Sequence, residues 1–376
     1  MPSTVIRNVR PLGGAAVDVV LNDAKISALL PAGSAAPELA TLVDGQGQLL
    51  LPALVESHVH FDKTLWATPW RPNSAGPTRK HRISNEHTVL KDFDVPMAER
   101  AGPLIEHCIA RGSLALREKY QHLIDLQLVA FPQGGLLIAP GTLALMESAL
   151  DLGVDVVGGI DPAGIDRDPI RHLEKIFELA TRYQRGIDIH LHDPGELGRW
   201  EIERIADMTE EMGLQGQVVI SHAYSLGAFP PAELMPLADR LAALRISIMS
   251  CAPPDVTVPP VAMLRSRGVN VCSGSDGIRD AWSPMGNGDM LERAMLMALR
   301  FGWSKDEDLE MAFDVVSQGG ARALNIPSYG LEVGCQANLL LLPAENIAEA
   351  VVNRSPQRTV ISRGRVVARD GVFMGG

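Results

Sequence analysis

"PIRHLEKIFELATRYQRGIDIHLHD", residues 169–193, joins two patterns whose order decides the fold. Residues 169–186 space their apolar side chains as an amphipathic helix and stop at a glycine, a helix C-cap signal. Ile187–His192 is then a short apolar run, the signature of a strand buried on both faces, and it closes on His190, His192 and Asp193. Further apolar runs lie at Ala53–His60, Ile124–Phe131, Val154–Ile160, Val218–His222, Ile246–Cys251 and Val269–Ser275. Helical patterns at residues 142–153 and 237–245 separate some of them. Strands alternating with helices imply a parallel sheet, and about eight such units imply a closed barrel. The expected class is α/β, a (β/α)8 TIM-type barrel.

One unit is short. Residues 113–125, "SLALREKYQHLID", are all that separate a helix at Pro103–Arg111 from the run beginning at Ile124. A full crossover with its loops needs roughly 25–30 residues. The spacing predicts a truncated second βα unit, with a short strand near Leu114–Arg117 and no full-length helix after it. The flanks differ from the middle. Residues 1–52 and 331–376 read as short strands and turns, so both termini are expected to form a small β-sandwich beside a barrel domain at 53–330.

The bulk composition narrows the function. A chain of 376 residues with 46% hydrophobic and 21% charged content has material for a large core. A net charge of -11 argues against a nucleic-acid partner, which needs a basic stripe. No run is long and apolar enough for a membrane span, and the N-terminus lacks the apolar stretch of a signal peptide. Cys108, Cys251, Cys272 and Cys335 are far apart and form no paired motif, which fits a cytoplasmic protein. The expected partner is a small molecule, and a homo-oligomer is left open.

In parallel barrels the chemistry sits at the C-terminal ends of the strands. His58 and His60 end the first run and, two residues apart on a strand, face the same way. Gln133, Asp161, His190, His192, Asp193, His222 and Asp276 fall at or just beyond the ends of later runs. A lone histidine there is commonly a hydrogen-bonded structural residue, and an aspartate after a strand is commonly a turn or cap. Several imidazoles and a carboxylate converging on one rim suit a catalytic divalent ion with an open position.

The segments "HVHFDK", "LQLVAFPQ", "DIHLHD", "ISHAY" and "SGSDGIRDAWSPMGNGDM" resemble the amidohydrolase superfamily, and within it the cytosine deaminase branch that includes N-isopropylammelide amidohydrolase. The resemblance implies one metal held by His58, His60, His190 and Asp276. It implies His222 as the catalytic histidine, Gln133 against the carbonyl-like edge of the substrate, and Lys63, His192, Asp193 and Trp282 around the pocket. Two-metal members carry a bridging lysine after the fourth strand, whereas here no lysine lies between Lys119 and Lys175. Zinc and ferrous iron both suit the ligand set. A divalent ion lowers the pKa of a water ligand toward about 7. Asp276 would then accept the water's proton, and Asp193, with His192 as the other candidate, would protonate the ring nitrogen. The implied reaction is hydrolytic deamination of a cytosine-like pyrimidine or N-substituted aminotriazine. The alternatives are a cyclic-amide hydrolase and a metal-binding homologue with impaired catalysis. Two features depart from the branch: Gly277 replaces an acidic or amide residue next to Asp276, and the polar stretch 71–88 reads as a loop over the site.

Overall fold

The alternation of buried runs and helices reappears in the computed structural model of the chain, which describes residues 3–91, 93–114, 123–125 and 127–375. In chain order its strands are β1 (Thr4–Pro11), β2 (Val17–Asn22), β3 (Lys25–Pro31), β4 (Thr41–Asp44), β5 (Leu49–Pro52), β6 (Val129–Ala130), β7 (Val156–Ile160), β8 (Gly186–Leu191), β9 (Val218–His222), β10 (Ser247–Met249), β11 (Val271–Cys272), β12 (Leu339–Leu342), β13 (Thr359–Ser362), β14 (Arg365–Arg369) and β15 (Val372–Phe373). The chain divides into two compact units. One is Gln127–Ser273 with Arg322–Asn325, and the other comprises Met1–Leu126, Gly274–Ala321 and Ile326–Gly376.

The first of these units carries six parallel strands in the order β11–β10–β9–β8–β7–β6. β7 is buried at every position and β8 at all but its first residue, as strands covered on both faces must be. A helix follows each of the first five strands, from Thr142–Asp151 after β6 to Val261–Ser266 after β10. The Pro169–Tyr183 helix starts where the Asp168 side chain accepts the Arg171 backbone N–H at 3.1 Å and Pro169 takes the first turn. It stops before the expected glycine, because Gln184 adopts the left-handed cap conformation at φ 54°, and Gly186 instead opens β8. The outer strands are shorter than the apolar runs suggest: β6 keeps two residues of Ile124–Phe131, and β11 two of Val269–Ser275.

In the other unit both ends of the chain share one nine-stranded sheet. β12 lies antiparallel to β5, with Leu339 opposite Pro52 and Leu342 opposite Leu49. Ile6, Val19, Leu50, Leu339, Leu341 and Ile361 belong to a common buried cluster there. The run at 53–60, expected as a strand, is fixed by two isolated parallel bridges, Leu54 to Ser113 and Val59 to Asp276. Between them a side chain does the work of a ladder. The buried Glu56 carboxylate accepts the Ser275 N–H at 2.8 Å, so that donor is satisfied without a neighbouring backbone carbonyl.

The described residues flanking the segment expected to hold the second unit are tied to one another by backbone bonds. Leu54 donates to Gly112 O and accepts from the Leu114 N–H, and Asp125 N–H reaches Leu114 O at 3.0 Å. The strand near Leu114–Arg117 lies outside the described residues beyond Leu114, as does most of the segment after it. The stretch 71–88 is not all loop. Residues 71–76 are irregular, but Arg79–Lys91 is a helix with no apolar stripe, and its single buried residue is Glu86. A polar helix of that kind escapes a search for hydrophobic periodicity.

Candidate metal centre and active site

In the unit formed from both termini, His58, His60 and Asp276 come together. His60 Nε2 lies 3.3 Å and His58 Nε2 3.8 Å from Asp276 Oδ1, and the two imidazoles meet edge to face with centroids 5.3 Å apart. Backbone bonds fix this arrangement: Asp276 N–H donates to His58 O at 2.8 Å, and His60 N–H to Asp276 O at 3.2 Å. The approach requires the glycine at 274, where a Cβ would stand 2.5 Å from His58 O and 2.6 Å from His58 N. Asp276 itself holds a left-handed backbone at φ 60°. Such conformations cost of order 1–3 kcal/mol each and persist where the surroundings enforce them. Burial, and behind it the Lys63 ammonium, pull the His60 imidazole below its ordinary value, while Asp276 pulls the other way. The neutral ring is the form that ligates a metal. Two imidazoles and a carboxylate whose donor atoms lie within 4.8 Å of one another fit a divalent cation.

Glu56, which the sequence reading passed over, sits on the strand period of His58 and His60 and is buried with them. Burial pushes its carboxyl up, against the hydrogen bond from Ser275. Lys63 is buried and reaches toward the Trp282 ring, 5.4 Å from its centroid. Its Nζ lies 3.7 Å from Glu86 Oε2, another residue that sequence alone did not single out. Burial pushes the Glu86 carboxyl up, and Lys63 pulls it back. Trp282 is half-buried, and its backbone N–H is held by Asp280 Oδ1 at 2.8 Å. The departure at Gly277 has a structural counterpart: a Cβ there would stand 2.1 Å from Asp280 Oδ2, so the Asp280 carboxylate fills the place of a side chain.

The six-stranded unit gathers His190, His192 and His222. His190 ends β8 and His222 ends β9, with ring centroids 5.1 Å apart. The His192 ring stacks on His222 at 4.3 Å, and Tyr224 approaches both at 5.4 Å. Asp161, just beyond β7, orients His192: its Oδ1 accepts the His192 backbone N–H at 2.6 Å, and both of its oxygens lie 3.1 Å from His192 Nδ1. Cys251 Sγ stands 3.8 Å from His222 Nδ1. Asp161 and His222 hold positive φ angles of 33° and 71° at their strand ends. Phe131 packs on His190 with centroids 4.1 Å apart.

Two further expected residues, Asp193 and Gln133, belong to the same unit. Asp193 is buried and accepts the Gly164 N–H at 2.8 Å, where a Cβ at 164 would stand 2.2 Å from its Oδ1. Gln133 is half-buried in the irregular segment after β6. The neighbouring turn hangs on Asp166, whose carboxylate accepts the N–H groups of Leu136, Leu137 and Ile138 at 3.0, 3.1 and 3.3 Å. His172 Nδ1 completes that cluster at 2.6 Å from Asp166 Oδ2. Among the described residues no helix is long and apolar enough to cross a membrane.

Comparison with known proteins places the chain among amidohydrolases. The model of the amidohydrolase family matches residues 97–368. The chain is 30% identical over 363 residues to N-isopropylammelide isopropyl amidohydrolase of Pseudomonas sp. (strain ADP), covering 88% of this chain and 89% of that one. N-isopropylammelide isopropylaminohydrolase from Burkholderia multivorans ATCC 17616 superposes with a TM-score of 0.96 at 37% identity, over 100% of both chains. 5-methylcytosine deaminase from Klebsiella pneumoniae, solved with 5-fluorocytosine, gives a TM-score of 0.85 at 29% identity over 97% of each chain.

Proposed function

Since the chain belongs to the amidohydrolase family, we propose that it is a mononuclear metal-dependent hydrolase that removes an amine from a cytosine-like pyrimidine or an N-substituted aminotriazine ring. Membership makes it a hydrolase of carbon–nitrogen bonds other than peptide bonds. The observation that carries the narrower reading is the convergence of His58, His60 and Asp276. These three would hold one divalent ion, zinc or ferrous iron, with His190 as fourth ligand from the C-terminal end of its strand. The ion, when bound, would acidify a water molecule and so provide the nucleophile.

The chain's own residues supply the rest. Asp276 would take the proton that the water loses. His222 would hydrogen-bond the oxygen as it gains charge at the attacked ring carbon. Stacking on His192 and the enforced φ at His222 hold that imidazole in place before substrate arrives. Asp193 would deliver a proton to the ring nitrogen, with His192, oriented by Asp161, as the second candidate. Asp276 would pass its proton to the departing nitrogen, so that the carbon–nitrogen bond breaks with release of a neutral amine, and the emptied Asp276 would take the hydroxyl proton as the ring carbon becomes a carbonyl. Gln133 would hold the ring's carbonyl-like edge, while Lys63 and Trp282 would line its far side.

In this proposal the six parallel strands are part of a (β/α)8-type barrel at 53–330 whose second βα unit is truncated, and the terminal sheet, from 1–52 and 331–376, belongs to a small β-sandwich. Four buried cysteines without a disulfide support a cytoplasmic setting. An amine-release screen over pyrimidines, triazines and their N-alkyl derivatives, paired with metal analysis, tests the reaction. About one ion per chain and release from at least one such ring are expected. Two ions per chain, or no release from any of them, would overturn it.

A further inference from the structure

Three of the proposed site residues hang on one stretch of chain, residues 161–168 between β7 and the Pro169–Tyr183 helix. At its start Asp161 holds His192 through the backbone N–H and Nδ1. In its middle the Gly164 N–H donates to Asp193 Oδ2 at 2.8 Å. Near its end Asp166 grips the segment that carries Gln133. A turn there closes with the Gly135 N–H on Pro132 O at 2.8 Å. Gly135, at φ 102°, passes so close that a Cβ would stand 2.6 Å from Asp166 Oδ1. The next three N–H groups donate to the same carboxylate. On the other side of Gln133, Phe131 rests on the His190 ring. Gln133 is thus strung between two fixed points, Phe131 and Gly135. A carboxylate only accepts, so the His172 Nδ1 facing Asp166 at 2.6 Å carries the hydrogen and fixes the acid's orientation. Both of these side chains are fully buried. A surface turn can leave its donors to water, so a buried charged acceptor with four donors is more than closure of a turn requires.

We propose that Asp166, oriented by His172, is a positioning residue for substrate binding: it fixes the 132–138 segment so that Gln133 is in place for the carbonyl-like edge of the ring before the ring arrives. Asp166 acts only through Gln133. A hydrogen-bonding group held ready spares the binding step the entropy of ordering a loop, so the effect falls on affinity rather than on bond breaking. The same stretch orients His192 and Asp193, but through Asp161 and Gly164, so the two candidate proton donors stay in place when Asp166 is altered. This inference rests on the proposed reaction, because it takes Gln133 as a substrate contact.

The test is a double-mutant cycle on the metal-loaded enzyme, with whichever of cytosine and N-isopropylammelide releases its amine. Asp166→Asn keeps an acceptor oxygen but loses the charge. It should raise KM about three- to ten-fold, the effect of one hydrogen bond, with metal content held. Gln133→Ala should raise KM by at least as much. With Gln133→Ala already in place, adding Asp166→Asn should change KM no further. Gly135→Ala pushes a Cβ against Asp166 Oδ1 from the loop side, and it takes the place of Asp166→Asn in the cycle should that variant not fold. KM effects that multiply, an unchanged KM in Asp166→Asn, or a loss confined to kcat overturns this inference while leaving the reaction standing. No amine release from either parent ring by the wild type overturns the reaction and this inference together.

Discussion

Replacing Asp166 by alanine should loosen the turn at 136–138 far more than an ordinary surface change. One buried carboxylate there gathers three backbone donors and the His172 imidazole. Removing it strands the buried Leu136 donor and leaves the part-buried donors of Leu137 and Ile138 without their acceptor. A buried donor left without a partner costs about 1–3 kcal/mol. The four bonds share one acceptor group and will not add in full, so a local cost of about 3–5 kcal/mol is expected, the range for breaking a buried charged pair. Amide hydrogen exchange reads this directly. Leu136, Leu137 and Ile138 should exchange at least about a hundred-fold faster in Asp166→Ala, on the scale of 1.4 kcal/mol per tenfold, while the β8 amides stay protected. Asp166→Asn keeps an acceptor oxygen and should fall between. The carboxylate also predicts an acid sensitivity. Burial works to raise its pKa, but the bonds from His172 and the backbone win and hold it below the usual 3.8. A lowered folded pKa means that the unfolded chain binds the proton more readily. The stabilisation is therefore complete above the ordinary aspartate range and is lost as pH falls below it. Unchanged exchange at 136–138 in Asp166→Ala would refute the assigned role.

Three further outcomes follow from the geometry. His222→Asn should retain its metal and lower turnover by about 10² or more; metal loss, or near-normal turnover, would contradict its assignment. Gly274→Ala puts a Cβ within 2.5 Å of His58 O and should lower metal content in the purified protein, as measured by elemental analysis, even if the chain still folds. Arg358 is fully buried and pairs through both terminal nitrogens with Asp289 at 2.8 Å, so Arg358→Ala should cost about 3–5 kcal/mol in denaturant unfolding. Lysine at 358 should restore little of it, because it cannot reproduce the two-pronged contact.

What the sequence made legible was whatever follows a period. The strand ends at His190 and His222 stood out because buried parallel strands are short apolar runs, and a polar residue closing one is conspicuous. Glu56 carries the same signal, two residues before His58 on the same strand face, but a carboxylate there does not stand out as an imidazole does. Glu86 had no such signal. It lies in a polar helix whose register is set by a few tertiary contacts rather than by an apolar stripe. The first run was read as an ordinary strand, yet a carboxylate takes over part of its ladder, a substitution that strand propensity cannot foresee. Lys63 and Trp282 came from family resemblance alone, since a lysine and a tryptophan outside regular strands carry no pattern of their own.

The pairing of β5 with β12 has a consequence for how the protein comes into being. β5 ends at Pro52, a few residues before His58 and His60, and its edge stays open until Leu339–Leu342 arrives to cover it. On the ribosome that partner emerges only after all six strands of the parallel sheet. The stretch with His58 and His60 must wait until then with an apolar edge, Leu49–Leu51, uncovered and ready to pair with a neighbour. Loading of the proposed metal should thus follow the synthesis of β12. Chains cut short before β12 should aggregate rather than accumulate as metal-bound fragments.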